Sequence, residues 1–318
     1  MDYEGLSVEA SRRFTRLEML WEGCILNPFW RGRDVSRARR YKSNSRILTE
    51  FIRKRWLTAA NAVPQQPVVR DDAAEKIYTI WLQGEQNAPD IVKSCFASIR
   101  AHCTQELVVL DEKTLPDYIS LPEEIVTKYK EGKIEPCHFS DICRVELLYR
   151  HGGYWLDATC FVTGPIPEHI TAQDFFVFMA GSRVCGNYSY IQNCFIRAHK
   201  GSWLLAAWRA IILNYWLHAD RRVDYFQHQL MFRALVKYHP YAATLFADMP
   251  RIEQDPTHLL FYKYGNDPFD PVLQERITRE GFFFQKTTYK MEEAPVPGSF
   301  RDYQVHWYQN HADKNTNA

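Results

Sequence analysis

Short apolar runs alternate with helix-period segments in the middle of the chain, and this alternation restricts the fold more than any other feature. Three β-prone runs predict strands at 77–82, 106–110 and 154–156. Between them, apolar residues recur at helical spacing in two segments, 91–102 and 138–151. The order strand, helix, strand, helix, strand predicts an α/β fold in which parallel strands are joined by crossover helices. Further strands are predicted at 175–179 and 190–196, and further helices at 203–217 and 225–238.

Polar or aromatic residues stand at the end of each of the first three predicted strands. Trp81, Asp111 and Asp157 all fall at or near a strand's carboxyl end. In open α/β sheets, ligands bind outside the carboxyl ends of the strands. We therefore expect these three residues to share one site.

The N-terminal part of the chain is basic. Residues 11–55 hold thirteen Lys/Arg and four Asp/Glu, a net charge of +9, which leaves −8 for the remainder. Trp21, Trp30 and Trp56 are interleaved with these charges, a pattern typical of a segment that lies at a membrane interface. Ordinary helix packing is the alternative. A proline- and glutamine-rich stretch at 58–72 predicts a boundary between a basic helical arm and linker (1–70) and a larger domain (71–318).

No segment of the sequence has the character of a membrane span. The most apolar stretch, 204–217, is shorter than the roughly 20 residues that a spanning helix needs, and Arg209 and Asn214 interrupt it. The first residues do not combine a basic region with an apolar one, as a secretory signal does. The expected location is the cytoplasm, with peripheral contact at the inner face of the cell membrane through residues 11–57.

The segment 140–159 carries the strongest chemical signal. Asp141 and Arg144 are three positions apart, so they share one face of the predicted helix. The pair Gly152-Gly153 then turns the chain into a short strand that ends at Asp157. A carboxylate at that position suits a hard cation that holds phosphate oxygens. Taken alone, Asp141 and Arg144 could also be a helix-surface ion pair.

These residues resemble the sugar-transferase region of the capsular polysaccharide synthesis proteins, which are similar to the retaining glycosyltransferases of family 32. The family pattern is a helix with S/A-D-x-x-R, followed by G-G-x-Y-x-D-x-D. Here it reads Ser140-Asp141-x-x-Arg144, then Gly152-Gly153-Tyr154-Trp155-Leu156-Asp157-Ala158-Thr159. The likeness extends to the strand before Trp81 and to three further segments: Gln192-Asn193-Cys194-Phe195-Ile196, Tyr225-Phe226-Gln227-His228 and Lys286-Thr287-Thr288-Tyr289-Lys290. It covers about 76–290 and leaves the basic arm outside.

The resemblance implies a GT-A type domain, a Rossmann-like mixed sheet with helical insertions that binds a nucleotide-sugar. By that resemblance Asp157 and Asn193 lie at the reaction centre. The donor is contacted by Trp81, Asp141, Arg144, Trp155, Lys286 and Lys290. Trp81 could instead be a core residue, Asn193 a turn amide, and the two lysines surface charges.

A divalent metal, Mn²⁺ or Mg²⁺, is also implied, with Asp157, Thr159 and His306 as its ligands. Thr159 departs from the family pattern, because a neutral hydroxyl replaces the second acidic residue. A hydroxyl is a weaker ligand for a hard cation than a carboxylate. His306 is therefore expected to supply a further ligand from the tail, and Mn²⁺ is expected to serve better than Mg²⁺.

The predicted function is transfer of a hexose, with retention, from a nucleotide-sugar such as a UDP-sugar. The expected acceptor is a glycan or lipid-linked oligosaccharide in capsular or surface polysaccharide biosynthesis. One alternative is a toxin-like glycosyltransferase acting on protein, or a nucleotide-sugar hydrolase. Another is a non-enzymatic nucleic-acid binder that uses the basic arm. The acidic remainder of the chain argues against nucleic acid as a partner.

Overall fold

The computed structural model describes residues 37–65, 75–180 and 189–311. The strands in these ranges are β1 (Ile77–Ile80), β2 (Leu107–Leu110), β3 (Gly153–Leu156), β4 (Cys160–Val162), β5 (Phe175–Met179), β6 (Ile191–Ala198) and β7 (Phe284–Lys286). The first α-helices are α1 (Arg37–Trp56), α2 (Thr58–Asn61), α3 (Asp90–His102), α4 (Leu115–Tyr118), α5 (Glu123–Lys130) and α6 (Pro136–His151). They are followed by α7 (Glu168–Thr171), α8 (Trp203–His218), α9 (Gln227–Tyr238), α10 (Pro240–Ala247), α11 (Pro271–Arg279), α12 (Phe300–Val305) and α13 (Trp307–His311). Single-turn helices of 3₁₀ and π type occupy Glu85–Asn87, Asp255–His258 and Leu259–Lys263.

A five-stranded mixed sheet forms the centre of the fold, with the strand order β2-β1-β3-β6-β5. Strand β1 pairs in parallel with β2 and β3, whereas β6 pairs antiparallel with β3 and β5. Every residue of β1 and β3 is buried, as expected for the middle of a sheet that is covered on both faces. The predicted α/β class is therefore confirmed.

A second, two-stranded sheet was not predicted from the sequence. Strand β4 pairs antiparallel with β7, and Cys160 lies opposite Lys286. This pairing joins the chain just beyond β3 to a segment more than 120 residues later. It therefore brings the late lysine segment to the edge of the main sheet.

The glycine pair between α6 and β3 is required by close backbone packing. Gly152 and Gly153 both have positive φ angles, of 69° and 91°. A Cβ atom on Gly153 would lie 2.4 Å from the carbonyl oxygen of Lys76, and one on Gly152 would lie 2.6 Å from the backbone nitrogen of Lys200. Only glycine fits at both positions. The turn therefore fixes where β3 begins, and with it the position of Asp157 directly after β3.

Helix α1, the last part of the predicted basic arm, packs on the main hydrophobic core. Its side chains Leu48, Phe51 and Ile52 are buried there, and α1 packs against α9. Trp56 meets Tyr215 edge to face at 5.3 Å. The predicted arm of residues 1–70 thus contributes core residues from its helical end. Trp21 and Trp30, and part of the predicted linker, lie outside the described residues.

Within the ranges given above, we find no helix that combines the length and the apolar character needed to cross a bilayer.

Candidate functional site

A cavity of about 570 Å³ opens at the carboxyl ends of β1 and β3 and at the start of β6. It brings together nine of the eleven residues that the sequence placed at the site. They are Trp81, Asp141, Arg144, Trp155, Asp157, Thr159, Asn193, Lys286 and Lys290. The parallel strands explain this convergence, since their carboxyl ends meet at the same edge of the sheet.

The Asp157 carboxylate, directly after β3, is held by three donors. Its Oδ1 accepts hydrogen bonds from Arg144 Nη2 at 3.0 Å and from Trp155 Nε1 at 2.8 Å. Its Oδ2 accepts from Lys286 Nζ at 2.9 Å. Burial alone would raise the pKa of Asp157, but the positive charges of Lys286 and Arg144 outweigh it and hold the pKa below its ordinary value. The carboxylate is therefore ionised, and both of its oxygens are in use.

Lys286 lies at the end of β7 and links the two ends of Asp157-Ala158-Thr159, the D-A-T segment. Its ammonium donates to Asp157 Oδ2 and, at 2.5 Å, to Thr159 Oγ1. Burial alone would lower the pKa of Lys286, yet the Asp157 carboxylate raises it above its ordinary value. The side chain is thus a charged group on the cavity wall and not the surface charge of the alternative interpretation.

Arg144 is buried in the middle of the site and connects three partners. Its Nη1 donates to the backbone oxygen of Asn193 at 2.8 Å and lies 2.9 Å from Asp141 Oδ1, while Nη2 reaches Asp157. The guanidinium also lies over the Trp155 ring, 4.9 Å from its centroid. Because Asp141 and Arg144 are only 8% and 5% exposed, the alternative of a helix-surface ion pair is wrong.

Asp141 is held from several sides. Asn193 Nδ2 donates to Asp141 Oδ1 at 2.8 Å, and His228 Nδ1 lies 2.9 Å from Oδ2. Burial would raise the pKa of Asp141, but Arg144 and His228 lower it well below its usual range. Asn193, near the start of β6, is therefore not a turn amide: its side chain donates to the Asp141 carboxylate, and its backbone oxygen accepts from the Arg144 guanidinium.

The protonation of His228 follows from its other neighbour. Trp216 Nε1 donates to His228 Nε2 at 2.9 Å. An indole N–H can only donate, so Nε2 must accept and the ring proton of the neutral imidazole must sit on Nδ1, facing Asp141. Burial lowers the pKa of His228 despite the nearby carboxylate, so the ring stays neutral.

His138, Asp141 and His228 together resemble a metal-binding group, because their ligand atoms lie within 4.8 Å of one another. The Trp216 contact decides against that interpretation. Metal binding through His228 Nδ1 would require a lone pair where the tautomer places a proton. We therefore describe the two histidines as a buried, polar support beside the Asp141 carboxylate.

The opposite part of the cavity is aromatic. The rings of Trp81 and Tyr289 meet edge to face with centroids 5.3 Å apart, and both residues line the cavity. Lys290 follows Tyr289 and lies exposed at the same wall. Trp81 is only partly buried, so it is a cavity residue as well as a neighbour of the core.

Two residues that the sequence placed at the site do not line the cavity. His306 pairs with Asp302, with Nδ1 3.0 Å from its carboxylate, and it is not part of the cavity wall. Asp111 does not join Trp81 and Asp157 as expected, because its carboxylate caps the turn after β2 by accepting from the backbone N–H groups of Lys113 and Thr114.

The predicted metal ligands do not fit a divalent ion in this arrangement. The two nearest oxygens, Asp157 Oδ2 and Thr159 Oγ1, both accept from the Lys286 ammonium, and His306 lies elsewhere. Two like unit charges 4 Å apart repel by about 4 kcal/mol at an effective dielectric constant of 20, and a divalent ion would double that cost. The predicted ligand set is thus not assembled, and the requirement for Mn²⁺ stays a prediction.

Sequence reasoning missed several residues of the site. His138 and Tyr225 line the cavity, and His228 lies behind its wall. The Tyr225-Phe226-Gln227-His228 segment was identified only as a family likeness without a role. Its histidine, the second residue of a helix that begins beside the cavity, is the signal that could have found it.

Fold and site define an α/β protein with buried, paired charges at the carboxyl ends of its parallel strands. The model of the capsular polysaccharide synthesis protein family matches residues 31–303. The chain therefore belongs to this family, and the match is wider than the expected 76–290, since it includes α1 and continues to residue 303.

Two further similarities are more distant. The glycosyltransferase afumC of Aspergillus fumigatus is 26% identical over 184 residues, which covers 51% of this chain and 46% of that protein. This chain thus spans less than half the length of that relative. Among solved structures, the PaToxG glycosyltransferase superposes with a TM-score of 0.38 at 11% identity, over 65% of this chain and 83% of the other.

Proposed function

We propose that this protein is a retaining glycosyltransferase of GT-A type that transfers a hexose from a UDP-sugar. The proposed acceptor is a glycan or a lipid-linked oligosaccharide in capsular or surface polysaccharide assembly. Family membership and the partial match to a fungal glycosyltransferase support a transferase. The observation that carries the proposal is the cluster of Asp141, Arg144, Asp157 and Lys286 in one cavity at the strand ends.

The cavity offers one surface for each part of such a donor. Its volume of about 570 Å³ lies within the usual range of small-molecule sites. The edge-to-face pair of Trp81 and Tyr289 suits the flat nucleotide base. Lys286 and Lys290 suit the diphosphate, and the Asp141 carboxylate can accept hydrogen bonds from sugar or ribose hydroxyls.

The proposed chemistry asks for stabilisation of charge rather than for a side-chain nucleophile. As the sugar leaves, negative charge grows on the diphosphate, and fixed cations in a partly buried site stabilise it most effectively. In retaining transfer on one face of the sugar, the departing phosphate oxygen accepts the proton of the acceptor hydroxyl. Asp157 then acts mainly by holding Arg144 and Lys286 in place.

The proposed location is the inner face of the cell membrane in the cytoplasm. Helix α1 buries its apolar side on the core and leaves Arg46, Lys54 and Arg55 exposed. Contact with anionic headgroups would therefore be electrostatic, at roughly 1 kcal/mol for each basic residue near the surface. Salt-sensitive binding to phosphatidylserine vesicles tests this part of the proposal.

A thermal-shift screen of nucleotide-sugars, followed by a turnover assay, tests the main proposal. We expect a UDP-sugar to raise the melting temperature, because a ligand that binds only the folded state stabilises it. Release of UDP should then increase when an oligosaccharide acceptor is added. Release that no acceptor changes would favour the hydrolase. Steep salt-dependent RNA or DNA binding, without nucleotide-sugar binding, would favour the nucleic-acid binder.

Arg144→Lys is the informative variant for this assay. One ammonium cannot copy a guanidinium that spans Asp141, Asp157 and the Asn193 carbonyl, so we expect turnover to fall by roughly 10²-fold. Arg209→Lys is the matched control, because Arg209 also pairs with a buried carboxylate and covers an aromatic ring but does not line the cavity. Equal activity of both variants would contradict the site assignment.

A further inference from the structure

We propose that the Lys286 ammonium takes the place of the divalent cation in this protein. It would bind the donor's diphosphate directly, so that transfer needs no metal ion. The inference rests on the proposed function and goes beyond it, since it names the group that neutralises the leaving diphosphate.

The position of the ammonium is the first argument. Asp157 and Thr159 are the first and third residues of the D-A-T segment, the two positions expected to hold a metal. Lys286 Nζ lies between them, 2.9 Å from Asp157 Oδ2 and 2.5 Å from Thr159 Oγ1. A positive charge already bridges the two side chains that a metal would have to bridge.

The backbone holds this lysine in register with the D-A-T segment. Strand β7 pairs with β4 so that Lys286 lies opposite Cys160, the residue directly after Thr159. The next residue, Thr287, donates to the Thr159 carbonyl from its backbone nitrogen at 2.8 Å and from its hydroxyl at 3.0 Å. Lys286 is thus fixed by a strand pairing and does not reach the site from a mobile tail.

Lys286 also retains capacity for a ligand. An ammonium has three N–H donors, and Asp157 and Thr159 take two of them. The third remains for a phosphate oxygen, and the side chain is 19% exposed at the cavity wall. Asp141 and Arg144 balance each other, as do Asp157 and Lys286, which leaves Lys290 to give the charged lining side chains a net charge of +1.

The identity of residue 159 agrees with a monovalent cation. A second carboxylate here would give two negative charges, which favour a divalent hard ion. The neutral Thr159 hydroxyl accepts a hydrogen bond from the ammonium without adding charge, so Asp157 alone balances Lys286. Thr159 in place of the second acidic residue of D-x-D is therefore consistent with Lys286, rather than a metal ion, as the cation at this position.

The transfer step balances without a metal. The bond between the anomeric carbon and the diphosphate oxygen breaks, and a bond from that carbon to the acceptor oxygen forms. The acceptor's proton passes to the departing phosphate oxygen. Lys286 stays protonated throughout and contributes its charge and one hydrogen bond to the diphosphate.

UDP binding, measured by calorimetry with EDTA and with added Mn²⁺, tests the inference alongside turnover of the donor. We expect wild-type affinity and turnover to change less than about twofold between the two conditions. Lys286→Met should lose at least about tenfold in UDP affinity with EDTA. It should recover part of that loss with Mn²⁺, because Asp157 Oδ2 and Thr159 Oγ1 become available to a metal.

Lys290→Ala is the matched control, since it removes a lysine from the same cavity without touching the D-A-T segment. It should bind UDP more weakly than wild type and show no response to Mn²⁺. Loss of wild-type binding and turnover in EDTA, with recovery on adding Mn²⁺, overturns the inference while leaving a glycosyltransferase. Absence of nucleotide binding in both conditions overturns the proposed function itself. If Lys286→Met does not fold, the wild-type comparison alone still decides.

Discussion

Trp216 lies behind the cavity, yet it determines which nitrogen of His228 carries the proton. Its indole N–H requires an acceptor at Nε2, and this places the Nδ1 proton toward Asp141. The orientation of a carboxylate on the cavity wall thus depends on a tryptophan two contacts away. Such a support acts by limiting the positions that Asp141 can take, rather than by touching a substrate.

His228→Phe separates this support from simple packing. The variant removes the Nδ1 atom that lies 2.9 Å from Asp141 Oδ2 and leaves the buried Trp216 N–H without an acceptor, so we expect a loss of about 1–3 kcal/mol in unfolding free energy. Donor affinity should also fall. Adding Trp216→Phe removes the unsatisfied N–H and should restore part of the stability but none of the affinity. Denaturant unfolding and donor titration measure the two effects; wild-type affinity in His228→Phe would show a purely structural role.

The residues of the site differ in how far the sequence could predict them. Asp141, Arg144 and Asp157 follow from helical spacing and from the glycine turn, since local geometry fixes their positions. The role of Trp155 does not follow from the sequence. Its side chain is 1% exposed, donates to Asp157 and packs under the Arg144 guanidinium, so it supports these two residues. His228 could not be placed either, since its contact with Asp141 depends on how two helices pack.

At the scale of elements, the pairing of β4 with β7 could not be predicted from the sequence, because it too depends on tertiary packing. Each strand has three residues, too few to show a period, and their partners are more than 120 residues apart. The longer elements were predicted within a few residues, as for α6 and β5. Their apolar pattern repeats often enough to be recognised without knowledge of the partner.

Helix α1 gives a prediction about the basic arm. Ile52 is fully buried in the main core and Phe51 is nearly so, whereas Lys54 on the same helix is exposed. We expect Ile52→Ala to lower the unfolding free energy by about 2–5 kcal/mol and Phe51→Ala by about 3–5 kcal/mol. The control Lys54→Ala should stay within about 0.5 kcal/mol of wild type.

Deletion of residues 1–57 removes all of this packing, so the truncated chain should fail to unfold cooperatively in a thermal melt. A shortened chain that melts like wild type would show instead that α1 is an appendage. That outcome would support the predicted domain boundary near residue 70. Leu48, Phe51 and Ile52 pack in one cluster with the sheet residues, so we do not expect a wild-type melt.

At the scale of the whole molecule, buried histidines give the stability a dependence on pH. Burial, together with the nearby positive charge of Lys286, lowers the pKa of His258 from 6.5 to about 4. Burial also lowers the pKa of His228. In both cases the unfolded chain binds a proton more readily than the folded one. Stability is therefore complete above the unfolded pKa and declines as the pH falls from about 6.5 toward the folded pKa.

For His258 this linkage amounts to a loss of about 2 kcal/mol in unfolding free energy between pH 7 and pH 5. Asp141 and Asp157 act in a lower range, because their folded pKa values lie below the ordinary carboxyl value of 3.8 and their contribution is lost only under more acidic conditions. The change in unfolding free energy between pH 7 and pH 5 therefore comes mainly from histidines.

Denaturant unfolding at pH 7 and pH 5 should show a smaller decline in unfolding free energy for His258→Phe than for wild type. The phenylalanine keeps the stacked contact with Tyr262 but has no proton to bind. An unchanged difference between the two pH values in His258→Phe would mean that His258 is accessible to protons in the folded state.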